Sequence, residues 1–119
     1  MDVKEALAKT QEIDGFIGAA IVDYQSGITL GVVGDGRLDI DLAASGNAEV
    51  VKSKMSVMAS LQLDDTIEDI LITLSSQYHL IRPMAKAPNI FIYLAIGREK
   101  GNLGLARHKL KSIESDLDL

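Results

Sequence analysis

Residues 66–111, TIEDILITLSSQYHLIRPMAKAPNIFIYLAIGREKGNLGLARHKLK, decide how the chain folds. Apolar segments at Thr66–Ser75, Gln77–Met84 and Asn89–Gly97 follow one another with breaks too short for a crossover helix. Strands joined that closely must run antiparallel. Ile90–Ile96 is apolar at both parities, as a strand covered on both faces should be. From about Asn102 the period becomes helical. Asn102 is a natural N-cap, and Leu103, Ala106, Leu110, Ile113 and Leu117 form one buried stripe.

Upstream, Val3, Leu7, Thr10 and Ile13 recur at helical spacing, so residues 2–12 read as a short amphipathic helix stopped by Asp14-Gly15. Phe16–Tyr24 is apolar on both faces. A turn at Gln25-Ser26-Gly27 and a second strand at Ile28–Val33 complete a hairpin. A long helix follows from about Asp39 to Leu61, capped by Asp39 or Asp41. The order is helix, two strands, helix, three strands, helix. It predicts an α/β (α+β) domain with three α/β/α layers and a central five-stranded, mostly antiparallel sheet. The first and last strands should be central, and residues 1–119 should form a single domain. Strand order is not legible in the sequence.

Composition narrows the function. The 119 residues are 47 % hydrophobic and 24 % charged, a globular balance. A net charge of −5 argues against nucleic acid, whose phosphates attract clustered Lys and Arg. The absence of Cys excludes disulfides and thiolate chemistry and suits a reducing cytosol. Met1–Glu12 interleaves charges with its apolar residues and does not read as a signal peptide. No apolar run approaches the roughly 20 residues of a transmembrane helix. A cytoplasmic protein is expected.

The middle helix is too apolar for one sheet. At about 100° per residue, Ile40, Ala43, Ala44, Val50, Val51, Met55, Val57, Met58 and Leu61 cover well over half of its circumference. A helix lying on a sheet needs a stripe only a little over about 100° wide. The surplus is expected to meet a second protein surface. Asn47 and Lys54, seven residues apart in one row with Ile40 and Leu61, are either rim residues or polar register-setters within a helix pair. Gly46 weakens a helix interior by about 1 kcal/mol relative to Ala, a cost that close approach of a neighbour would offset.

Signals for chemistry are weak. Gly31-Val32-Val33-Gly34-Asp35-Gly36 lacks the Lys-Ser/Thr of a P-loop and the spacing of a dinucleotide fingerprint, so a turn explains it. His79 and His108 have no partners at metal-ligand spacing, and no metal or cofactor is expected. Asp64, Asp65, Glu68 and Asp69 read as a charged strand margin that limits promiscuous pairing. Arg98, Lys100, Arg107, Lys109 and Lys111 form a local basic cluster around His108, either a solvated helix face or a patch for an acidic partner. No G-x-S-x-G motif is present, and an enzyme is not expected.

The wording ILITLSSQYHLIRPM (70–84) and NIFIYLAIGREKGNLGLARHKL (89–110) resembles the roadblock family of dynein light chains and their bacterial relatives. Core-pattern matches at Phe16–Gly34, Leu42–Leu63, Ile67–Met84 and Ile90–Leu110 extend the resemblance over nearly the whole chain. It implies a non-enzymatic homodimer in which the third strand pairs with its copy and the middle helices pack side by side. Ala43, Asn47, Val50, Lys54, Val57, Leu61, Ile67, Ile70 and Leu71 would then lie at the interface. It further implies binding and regulation of a small Ras-like GTPase. None of Arg37, Arg82, Arg98 or Arg107 can be assigned as acting on the nucleotide in trans. Two alternatives are a structural scaffold for a multiprotein complex and a PAS- or profilin-like small-molecule sensor. The sensor would use space left by Gly18, Ala19 and Ala20.

Overall fold

A computed structural model describes residues 1–119. The elements are α1 (Val3–Thr10), β1 (Phe16–Asp23), β2 (Thr29–Gly34), α2 (Ile40–Ser60), β3 (Ile70–Thr73), β4 (Gln77–Pro83), β5 (Ile90–Gly97) and α3 (Leu103–Asp116). Every strand pairing is antiparallel, and the order across the sheet is β2-β1-β5-β4-β3. The doubly apolar strands β1 and β5 are indeed internal, with β5 in the centre.

Each helix starts where a side chain satisfies its free N–H groups. Asp2 and Glu5 form a reciprocal capping box on α1, Asp39 rather than Asp41 caps α2, and Asn102 caps α3. The α2 terminus is unusual. Gln62 adopts φ 57°, a conformation normally left to Gly, while Leu63 N–H donates to Met58 O and Gln62 N–H to Ala59 O. This motif ends the helix and turns the chain towards the sheet edge.

Alternation along the strands splits the core in two. On one face Ala19, Ile21, Ile92, Leu94 and Ile96 pack beneath α1 and α3. On the other, Ile17, Ala20, Val22, Phe91 and Tyr93 pack beneath α2. Gly18 gives up its volume to Ile40, whose side chain occupies the place a Cβ would take, and Ala19 and Ala20 are fully buried. The space expected for a sensor pocket is therefore filled.

The third strand is shorter than the expected Thr66–Ser75. Its ladder begins at Ile70, opposite Ile81. Continued one step, it would set Asp69 against Arg82, and one further would meet Pro83, which has no N–H to donate. Asp69 turns away to α3, where Arg107 grips its carboxylate through Nε and Nη2 at 3.1 and 3.0 Å. At the other end a tight turn closes the hairpin, with Leu74 N–H donating to Gln77 O.

Candidate functional site

The two faces of the sheet are unequally covered. Five strands spaced about 4.8 Å apart span about 19 Å between outermost axes, and one helix is about 10–12 Å across. Two helices cover one face, whereas α2 alone covers the other and packs on β1 and β2. On the β3–β4 side of the α2 face, Ile70, Ile72 and His79 stay only half-buried. Sequence reasoning did not reach this asymmetry, because it depends on where α2 sits across the sheet.

The apolar surplus of α2 separates into two rows. Ile40, Ala44, Ala48, Val51 and Met58 are buried, and Ala43 and Met55 pack partly against the same core. Val50, Val57 and Leu61 stand 38 %, 45 % and 62 % exposed on the outer row, at the repeat of a helix-pairing seam. Gly46 lies near this row, and a Cβ there would meet open space, so nothing in the chain requires a Gly at that position.

The expected interface residues are distributed as follows. Val50, Lys54, Ile67 and Ile70 line one groove of about 510 Å³ between α2 and the β3 edge, together with Met58 and Leu63. Val57 shares a shallower cleft with Val50 and Lys54 on the outer flank of α2. Leu61 is exposed at the end of the helix. Ala43 is half-buried, and Asn47 is already buried beneath α2 within the single chain. Leu71 faces the α1–α3 side, opposite to Ile70. The acidic approach to β3 borders the groove through Asp65, Glu68 and Asp69, while Lys54 stands among the apolar groups on the opposite wall.

Neither histidine belongs to this groove. The His79 ring lies edge-on to Tyr93 with centroids 5.5 Å apart. Its Nε2 is 2.7 Å from Gln77 Oε1, and its Nδ1 is 3.3 Å from the Tyr93 hydroxyl. Burial lowers the imidazole pKa and pushes the Tyr93 phenol up to about 12. A neutral ring fits this arrangement: Tyr93 O–H donates to Nδ1, and Nε2–H donates to Gln77.

The basic cluster does not form one patch. Arg107 is committed to Asp69, Arg98 lies over the Tyr78 ring, and Lys109 borders a separate surface cleft with Glu12 and Asp116. A second exposed apolar group, Ile28, Leu30, Val32 and Leu42, follows the β2 edge and the start of α2. The alternation of residues 28, 30 and 32 was its only trace in the sequence.

Solved structures share this architecture. A Roadblock/LC7 domain from Streptomyces avermitilis matches with a TM-score of 0.80 at 12 % identity, over 97 % of this chain and 93 % of that one. MglB from Myxococcus xanthus matches at 0.74 and 12 %, over 93 % and 84 %. An MglB with a tetrameric arrangement matches at 0.78 and 15 %, over 93 % and 81 %. No family model matches the chain, and no curated protein matches it in sequence. At these identities the likeness is one of fold.

Proposed function

We propose that this chain, which has the roadblock fold, acts as a single-domain, non-enzymatic module that pairs with a second copy of itself and binds and regulates a small Ras-like GTPase in the cytoplasm. The observation that carries the pairing is the incompletely covered β3 margin of the α2-side sheet face. One helix cannot cover five strands, and the open strip lies between the apolar outer row of α2 and the unpaired edge of β3. A second copy related by a two-fold axis would bring its own α2 alongside and its own β3 against this edge. Exposed apolar surface and a free sheet edge would both be removed in one contact. The tetrameric arrangement of one MglB is consistent with self-association on this fold.

The GTPase reading rests on the family resemblance. The sensor reading loses its expected pocket, because Ile40 fills the space beside Gly18. A scaffold without a GTPase differs from the favoured reading only in its partner. No helix is long and apolar enough to cross a membrane.

Light scattering at micromolar concentration tests the pairing: a mass of twice 12.8 kDa is expected, and a monomer refutes it. The partner is tested by affinity capture from source-cell lysate with GDP or a non-hydrolysable GTP analogue. A Ras-like GTPase should be retained preferentially in one nucleotide state. Retention of a non-GTPase protein, indifferent to nucleotide, would replace the regulator with a scaffold.

A further inference from the structure

A polar cleft of about 530 Å³ opens at the end of the sheet where β1 and β4 begin and β5 ends. Arg37, Arg98 and Lys100 line it together with Ser75, Ser76 and Gln77. Glu99 is its one acidic residue and Ile17 its one apolar side chain. None of these residues belongs to the surface proposed for self-pairing. Two of them, Arg98 and Lys100, come from the basic cluster that the proposed function leaves without a role.

The cleft is built on backbone packed too tightly for side chains. Gly15 adopts φ +80°, and a Cβ on it would lie 2.8 Å from Gly97 O and 2.9 Å from Gly101 N. Gly97 N–H donates to Gly15 O, Gly101 N–H to Gly97 O, and Arg98 N–H to Ser76 O, at 2.8–2.9 Å. These bonds join the three segments before any ligand arrives, so the backbone beneath the cleft is already ordered.

The side chains above this floor are donors. Arg98 is held by Nη1 on Leu74 O at 2.9 Å and by the Tyr78 ring at 5.0 Å, which leaves its Nε and Nη2 without protein partners. Lys100 makes no ion pair within the chain. Arg37 is different. Its Nε bonds Asp35 at 2.7 Å and its Nη2 bonds Phe16 O, so its charge is largely answered in place. Gln77 Oε1 is occupied by His79, and the NH₂ end of the amide remains to donate. Two cations that make no ion pair, two hydroxyls and an amide thus line the cleft beside a single carboxylate, Glu99, in a chain whose net charge is −5.

We infer that this cleft binds a phosphomonoester. A carboxylate offers two oxygens and one charge. A phosphomonoester offers three terminal oxygens and about −1.5 to −2 charge at neutral pH, a closer match to this donor set. The volume lies within the roughly 300–1,000 Å³ of small-molecule sites, leaving room for a polar body of sugar size. The scarcity of apolar lining disfavours a hydrophobic ligand. An extended polyanion would meet the negative field of the rest of the chain.

The test is an amide NMR titration of the full ¹⁵N-labelled chain with inorganic phosphate, ribose 5-phosphate and a phosphoserine peptide, with acetate as control. Saturable shifts should be confined to residues 15–17, 37, 74–78 and 97–101, and acetate should give none. Arg98→Ala with Lys100→Ala should weaken binding by about tenfold or more, and Glu99→Gln should tighten it by about two- to threefold. Arg98 also supports Leu74 O, so Lys100→Ala with Ser75→Ala provides a second variant that leaves that bond intact. Tighter binding of ribose 5-phosphate would identify a free metabolite as the source, and tighter binding of the peptide a phosphorylated partner. Scattered shifts, an equal response to acetate, or unchanged affinity in both double variants would overturn the assignment. Self-pairing, measured by light scattering on the same samples, stands or falls separately.

Discussion

Val50 and Val51 are the same side chain at consecutive positions of α2, yet Val51 is fully buried in the core while Val50 is 38 % exposed beside the β3 groove. The rows they belong to differ in the same way. The inner row, Ile40, Ala44, Ala48 and Val51, packs on β1 and its neighbours and is needed to fold the chain. The outer row, Val50, Val57 and Leu61, contributes little to the packing of a single copy. One helix thus carries a folding face and an unpartnered face, about one residue of rotation apart.

The largest effect should come from the inner row. Val51→Asp places a charge where no partner or water can reach it, a cost of several kcal/mol against a typical total of about 5–15 kcal/mol. Loss of a cooperative thermal transition is expected, and a melt close to that of the parent chain would show that the inner row is not core. Arg82 and Glu114 form the corresponding buried pair in polar form, with side chains 13 % and 8 % exposed and Nε 2.9 Å from Oε1. Arg82→Met strands the Glu114 carboxylate and should remove about 3–5 kcal/mol in urea unfolding. By contrast, Lys52→Ala, which breaks the exposed pair with Glu49, should change stability by less than about 0.5 kcal/mol.

The outer row should separate association from folding. Val50→Asp combined with Val57→Asp is expected to halve the mass seen by light scattering, with far-UV circular dichroism unchanged. Loss of all structure in that variant would mean that both rows are core. A further effect, confined to acid pH, concerns His79, on the half-buried margin of the same face. Burial lowers its pKa below the usual 6.5, so as pH falls the unfolded chain takes up a proton before the folded one does. Stability should therefore decline as pH drops below about 6.5, and His79→Gln should remove that part of the decline. An identical pH profile in the variant would show that other groups account for it.

Element types and their order were legible from residues 1–119, because period and capping are local properties of the chain. Asn102 could be identified as a cap, and β1 and β5 as internal strands, without any knowledge of neighbours, while the α2 cap was narrowed to Asp39 or Asp41. Errors appear where one segment depends on another distant in sequence. The apolar run 66–75 is interrupted because Pro83 stands opposite and Arg107 draws Asp69 away. Among the interface residues, the sequence showed that α2 carries an apolar surplus, but not that Val50, Val57 and Leu61 are the exposed part of it or that Asn47 is buried.

Local pattern and composition therefore established a five-stranded α/β/α chain with one helix too apolar for its sheet. Packing alone assigned Val51 inward and Val50 outward, left the β3 margin of one sheet face incompletely covered, and brought Arg98, Lys100 and Ser75 to a common cleft. The physical reason is one of range. Periodicity records which sides of an element are apolar, but burial is settled by what lies across from each side, and that requires contacts between residues far apart in the chain.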